Sequence, residues 1–175
     1  MTNTTKIIVV SAIILLLLTA NIKEVAGKAI AIIKSFEGER LTSYQDQAGI
    51  WTIGWGSTYN HDLKRRVQKG DIIDKETALR WLRLDAADAA ANVKKLVKVP
   101  INQNQLDSLT SFSYNIGPNA FAASTLLRKL NQGASKQEVA AEFARWNKVT
   151  LPTGEKVVSN GLVRRRKMEA DLFLS

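Results

Sequence analysis

The chain has 175 residues, 45% of them hydrophobic, enough to bury a sizeable core in one domain and too apolar for a disordered chain. It has no cysteine and a single histidine, His61, which excludes a disulfide framework, a zinc–thiolate centre, cysteine nucleophilic catalysis and any site needing two histidines. Its 25 Lys and Arg against 16 Asp and Glu leave a net charge of +9, implying an anionic partner: nucleic acid, a membrane surface or a cell-wall polymer.

The apolar residues are unevenly spread. Residues 7–22, IIVVSAIILLLLTANI, carry no charge, with Lys6 before them and Lys23-Glu24 after. A helix of that length spans about 24 Å, short of the roughly 30 Å hydrocarbon core of a bilayer. Thr19, Ala20 and Asn21 weaken the lipid affinity of its second half. A positive start followed by an apolar core is the pattern of a secretory signal. Val25-Ala26-Gly27 offers small residues for cleavage, but Lys23 and Glu24 intervene. The expectation is an uncleaved, weakly held signal anchor with its N-terminus inside and the remainder outside. A buried core helix is the alternative for so short a run. Across residues 25–36 the apolar positions Val25, Ala29, Ile32, Ile33 and Phe36 recur at helical steps and form one face.

Residues 41–59 change character. Gly49, Gly54 and Gly56 punctuate them, and Tyr44, Ile50, Trp51, Thr52, Ile53 and Trp55 are strand formers. The pattern predicts two or three short antiparallel strands with a turn near Gln47-Ala48-Gly49. Trp51, Ile53 and Trp55 share strand parity, so one common core face is expected. Helical patterning follows. Asp74 is a candidate N-cap, and Pro100 lies beyond that helix. Helices are expected over 102–114, 120–130, 135–146 (opened by a Ser135/Glu138 capping box) and 162–173. Turns are expected at Gly117-Pro118, Asn131-Gln132-Gly133 and Pro152-Thr153-Gly154. The sum is an α+β chain, with a short sheet near the N-terminus and a larger helical part after it.

Glu37 closes the first helical face. A carboxyl at an apolar helix end has its charged form disfavoured by desolvation, which suits a general acid. Asp46 follows beside a polar turn, and Thr52 lies on a strand of the same hairpin. A carboxylic acid, a carboxylate and a hydroxyl that holds a water are the parts for hydrolysing a glycosidic bond. By residue type alone Glu39 would serve as well, and most such carboxylates are solvated surface charges.

The spacing of Glu37, Asp46 and Thr52 within SFEGERLTSYQDQAGIWTIGWGST resembles the catalytic signature of the phage-type lysozymes of glycoside hydrolase family 24. The segment QLDSLTSFSYNIGPNAFAASTLLRKLNQG resembles that family's central helices, and the closing WNKV and GLVRRRKMEADLF its C-terminal helix. Residues 7–22 resemble the signal-anchor-release segments of some of its endolysins. The resemblance implies a lysozyme-like fold: residues 1–34 as anchor and leading helix, then a catalytic domain over 35–175. That domain would have a small β-lobe at about 36–73 and a helical lobe at about 74–175. It also implies a muramidase cutting the β-1,4 bond between N-acetylmuramic acid and N-acetylglucosamine. Glu37 would protonate the leaving oxygen, while Asp46 and Thr52 position the attacking water. Inversion is expected, with a carboxyl separation of roughly 6.5–9.5 Å.

No metal or cofactor is called for. The implied partners are peptidoglycan glycan strands, the host secretion machinery and the bacterial inner membrane through residues 7–22. The chain is expected to be monomeric, inactive while anchored and soluble in the periplasm once released. Tyr44, Trp51, Trp55 and Tyr59 are candidates to line a sugar cleft. Arg164-Arg165-Arg166-Lys167 and Lys64-Arg65-Arg66 are basic runs without an accompanying nucleic-acid motif. One arginine of the first run is expected to turn inward onto a carboxylate, with Glu37 a candidate, and the others to be solvated. His61 is expected to be a solvated loop residue. Asn115 to Pro118 reads as a hinge, a rim between lobes or a plain turn. The rival readings are a wall-binding module without catalysis and a secreted muramidase with a cleaved signal.

Overall fold

The computed structural model describes residues 27–46, 49–151 and 153–175. The expected anchor, Val25 of the expected helical face, Gln47 and Ala48 of the expected turn, and Pro152 lie outside the described residues. Helix α1, Gly27–Phe36, buries Ala29, Ile32 and Ile33, the stripe its periodicity predicts. It runs into β1 (Arg40–Gln45), which pairs antiparallel with β2 (Trp51–Gly54). A second pair, β3 (Tyr59–Asn60) and β4 (Arg65–Arg66), completes the small lobe. The expected single sheet is therefore two short ladders. The break falls at Gly54 and Gly56, whose φ values of 66° and 99° suit glycine and interrupt an extended strand.

That break also divides the expected tryptophan face. Ile53 packs with Val67 and Trp81, and Trp51 lies half-buried against them. Trp55 instead joins Ile33, Ala78, Leu82 and Ala86, because the chain has turned at Gly54.

Helix α2, Lys75–Leu96, begins at Asp74, whose carboxylate accepts the Thr77 N–H. Its stripe of Ala78, Trp81, Leu82, Ala86, Ala90 and Val93 carries it from the small lobe into the large one. Helix α3, Gln103–Ile116, is opened by an Asn102/Gln105 capping box and is buried on nearly every side. The predicted helix over 120–130 is two helices, α4 (Pro118–Ala122) and α5 (Thr125–Asn131). Ser124 divides them: its hydroxyl donates to Phe121 O at 2.7 Å and accepts the Leu127 N–H, ending one helix and capping the next. The helix from Ser135 likewise stops early. Helix α6 spans Lys136–Ala141, and a 3₁₀ turn follows at Phe143–Arg145. A hairpin of β5 (Lys148–Thr150) and β6 (Lys156–Val158) then appears where only a turn was expected. Helix α7, Asn160–Leu174, closes the chain. The helical core centres on Phe112, which meets Phe143 at 5.0 Å and Trp146 at 5.7 Å, edge to face.

Candidate active site

Glu37 stands one residue past α1, its N–H still donating to Ile33 O at 2.9 Å. The helix therefore fixes where this carboxyl leaves the core. The expected apolar setting is not what surrounds it. Arg165 Nη1 donates to Glu37 Oε1 at 2.6 Å, so an arginine of the basic run does turn inward onto Glu37. Glu39 points elsewhere and pairs with Lys75 at 3.2 Å.

Asp46 and Thr52 are held by one residue between them. Ile50 N–H donates to Asp46 Oδ1 at 2.8 Å, Asp46 N–H donates to Ile50 O at 3.0 Å, and Thr52 Oγ1 donates to the same carbonyl at 3.0 Å. The β1–β2 register sets Thr52 opposite Tyr44, two residues before Asp46. Thr52 is buried, and Asp46 is half-buried. Tyr44 lies within the field of both Glu37 and Asp46; burial first, and then Glu37, raises its phenol above the ordinary range. Arg40 stacks on the Tyr44 ring at 4.3 Å.

Behind Glu37 lies a cluster that the sequence shows only as a basic run. Arg165 is 2% exposed, Arg166 2% and Glu169 0%, so the expectation of one inward arginine is corrected to two. A helix places positions 165, 166 and 169 on one side, and Glu169 gives both arginines a reason to be there. Burial pulls Arg166 down to about 10 and pushes Glu169 up, against the pull of both guanidiniums. Tyr114 reaches across the lobes, its hydroxyl donating to Trp55 O at 2.8 Å. Burial raises that phenol so far that it stays a donor.

His61 is not solvated. Its Nε2 lies 2.7 Å from Asp85 Oδ1, between the rings of Tyr59 and Trp81. Burial raises the Asp85 carboxyl, opposed by Ser57 and His61. Trp55, at 3% exposed, is a core residue rather than a cleft wall. Tyr59 is exposed and meets the His61 ring edge to face at 5.3 Å.

Glu37 lines one of several open hollows among the described residues. It is about 220 Å³ in volume and is also lined by Arg165, Asn115, Val149 and Leu162. It shares Asn115, Val149 and Leu162 with a larger groove of about 710 Å³ bordered by Arg145, Lys148 and Lys156. A third, of about 340 Å³, lies between Gly56, Tyr114 and the α2 residues Asp85 and Asp88. Asn115 is thus a rim residue, one of the roles its segment allows. Among the described residues no cluster of three or more His, Asp or Glu is arranged to hold a metal ion.

The family profile described as Phage lysozyme matches residues 34–169. The endolysin of Acyrthosiphon pisum secondary endosymbiont phage 1 is 41% identical over 151 residues, 86% of this chain and 98% of that protein. The SAR-endolysin of Pseudomonas phage phiKMV is 38% identical over 141 residues, 81% of this chain and 82% of that protein. Among solved structures, the endolysin from Escherichia coli O157:H7 phage FAHEc1 superposes with a TM-score of 0.76 at 42% identity, covering 86% of this chain and 93% of that one.

Proposed function

The chain belongs to the phage lysozyme family, and on that premise we propose that it cuts the β-1,4 bond between N-acetylmuramic acid and N-acetylglucosamine with inversion, after release from a membrane anchor. Membership makes it a glycoside hydrolase of the endolysin type, acting on peptidoglycan. In the proposed reaction Glu37 protonates the leaving oxygen. Asp46 accepts a proton from a water that Thr52 helps to hold, and that water attacks the opposite face of the sugar. The observation that carries this assignment is the Ile50 clamp, which fixes Asp46 and Thr52 through the N–H and C=O of one residue at 2.8–3.0 Å. A carboxylate and a hydroxyl so fixed are pre-organised to orient one water.

The test is digestion of purified peptidoglycan, with product ends identified by mass spectrometry and anomers followed by proton NMR. New N-acetylmuramic reducing ends that appear first as the α-anomer support the reading. Initial β-anomer, or full activity in Glu37→Gln, overturns it.

The catalytic unit is proposed to occupy residues 35–175, with residues 7–22 as the anchor. The name of the phiKMV relative supports this, as does the charge-free run itself. Among the described residues no helix is long and apolar enough to cross a membrane, and the run lies outside them. Export by the host secretion machinery would leave the enzyme tethered to the inner membrane, facing the periplasm. Collapse of the membrane potential would free it. Because α1 delivers Glu37 directly, a helix start held in lipid displaces the acid from Asp46 and Thr52. Membrane fractionation with and without an uncoupler, assayed for muramidase activity, tests this; full activity in the membrane fraction before uncoupling overturns it.

A further inference from the structure

The contact between Arg165 and Glu37 raises a difficulty for the proposed reaction. A guanidinium beside a carboxyl favours the carboxylate, whereas a general acid must hold its proton. A second guanidinium, Arg166, lies in the same buried cluster and within the field of Glu37. Two guanidiniums buried side by side behind one glutamate call for an opposing charge. The cluster contains the means to offset them.

Glu169 is that means. Its side chain is fully buried. Oε1 accepts from Arg165 Nε at 3.1 Å, from Arg166 Nη2 at 3.0 Å and from Ser111 Oγ at 2.7 Å. Oε2 lies 2.7 Å from Arg166 Nε as an ion-pair contact without hydrogen-bond alignment. Its backbone is fixed as well, since Ser108 Oγ donates to Glu169 O at 2.6 Å. Arg165 is held by Glu169 through Nε, by Ser111 O through Nη2 and by Glu37 through Nη1. Arg166 is further placed 4.9 Å above the Phe112 ring. Glu169 therefore aims the guanidinium fork and supplies the opposing charge. With Glu37 ionised, the two carboxylates balance the two guanidiniums.

We propose that Glu169 is the positioning residue of this site: it fixes Arg165 against Glu37 and offsets one of the two guanidinium charges, so that Glu37 is oriented by a guanidinium and still able to take up the proton it donates. This rests on the reading of Glu37 as general acid. Among the described residues, the charged and titratable groups within the field of Glu37 include Arg165 and Arg166 on α7, Tyr44 on β1 and Tyr114 on α3. Among the described residues, those facing Glu169 are the two arginines, with Ser108 and Ser111 of α3 as neutral partners. Removing the Glu169 charge should hence act on Glu37 through the charge and placement of the arginines.

The experiment measures kcat/KM against pH on purified peptidoglycan, for the full chain after release from the membrane, together with melting temperatures. Glu169→Gln keeps the shape and removes the charge. Its alkaline limb, which follows loss of the acid's proton, should move about 0.5–1 pH unit to lower pH, a roughly 3- to 10-fold loss on that limb. Arg166→Met should move the limb the other way. The double variant restores charge balance and should return the limb to within about 0.3 unit of the parent. Glu169→Asp keeps the charge and should keep the limb while lowering kcat. If every variant melts earlier with the limb unmoved, Glu169 is a structural residue and the proposal is wrong. If Glu169→Gln does not fold, Arg166→Met alone decides, an unmoved limb overturning the proposal. A parent enzyme that releases no N-acetylmuramic ends overturns the underlying function instead, and is read first.

Discussion

Arg165 and Glu37 meet at 2.6 Å across 128 positions of sequence, joining the last helix to the end of the first. The two sides differ in burial: the arginine is 2% exposed and the glutamate 28%. The guanidinium is thus anchored in the interior and presents one edge to the open hollow where Glu37 lies. Lysine has a single ammonium and cannot serve Glu37, Glu169 and Ser111 together. Arg165→Lys is expected to lower kcat about 10- to 100-fold and to cost about 3 kcal/mol or more, since it disturbs a buried ion network. Steady-state kinetics and denaturant melts check both.

Glu37→Gln removes the proposed proton donor while keeping an acceptor for Arg165. Activity should fall about 10²- to 10⁴-fold with the fold intact. Reducing-end release and circular dichroism on the same sample measure this. Retained binding to purified cell walls would separate loss of chemistry from loss of recognition. A wall-binding module without catalysis predicts instead that the parent releases no reducing ends.

Gly56 has φ 99°, and a Cβ there would lie 3.7 Å from Tyr114 Oη and 3.8 Å from Glu37 Oε2. These are ordinary contacts, so the cost of Gly56→Ala is backbone strain of about 1 kcal/mol or more. Gly154 has φ 85° with open space around it. Gly154→Ala should therefore show a similar drop in stability and no loss of activity. Only the Gly56 variant should also lose activity, because that glycine borders Glu37.

Asp71 should dominate one window of acid stability. The Arg65 guanidinium, and then the Gln68 N–H, hold its carboxyl down to about 2. The unfolded chain titrates this group near 3.9, so the contribution is complete above about pH 4 and is lost as pH falls towards 2. Asp71→Asn should melt earlier than the parent at pH 7. The two curves should converge by about pH 2. Thermal melts across that range test the sign.

Phe112 is fully buried and meets three aromatic rings as well as Arg166. Phe112→Ala should cost about 3–5 kcal/mol from the cavity it leaves, read as a lowered denaturation midpoint. A drop much below this would mean that α6 and the 3₁₀ turn collapse into the space.

A flexible insert of Gly and Ser within residues 25–34 should uncouple the anchor from Glu37. The variant should show muramidase activity while still in membranes. Activity only after solubilisation would rule out displacement of Glu37 as the restraint.

Much of the fold was legible because it rests on local rules. The stripe of Ala29, Ile32 and Ile33 follows helical periodicity, and the Asp74 and Ser135 caps are short-range hydrogen bonds. The errors fell where local patterns give no warning. Ser124 splits a helix by bonding in two directions. The β5–β6 hairpin forms from a polar stretch whose alternation is weak. Trp55 leaves the face of Ile53 because Gly54 turns the chain.

Read alone, the sequence carried the family, three candidate residues for the chemistry, and most of the element order but not the β5–β6 hairpin. Spacing and periodicity are properties of neighbours along the chain, and they carry that information. Only the tertiary structure decided what surrounds Glu37. The sequence shows four consecutive basic residues from 164 to 167, and nothing local separates solvated arginines from buried ones. Packing α7 against α1 and α3 puts Arg165, Arg166 and Glu169 out of water. Burial of that kind is tolerable only where opposite charges meet, and those partners are set by the fold, not by the spacing.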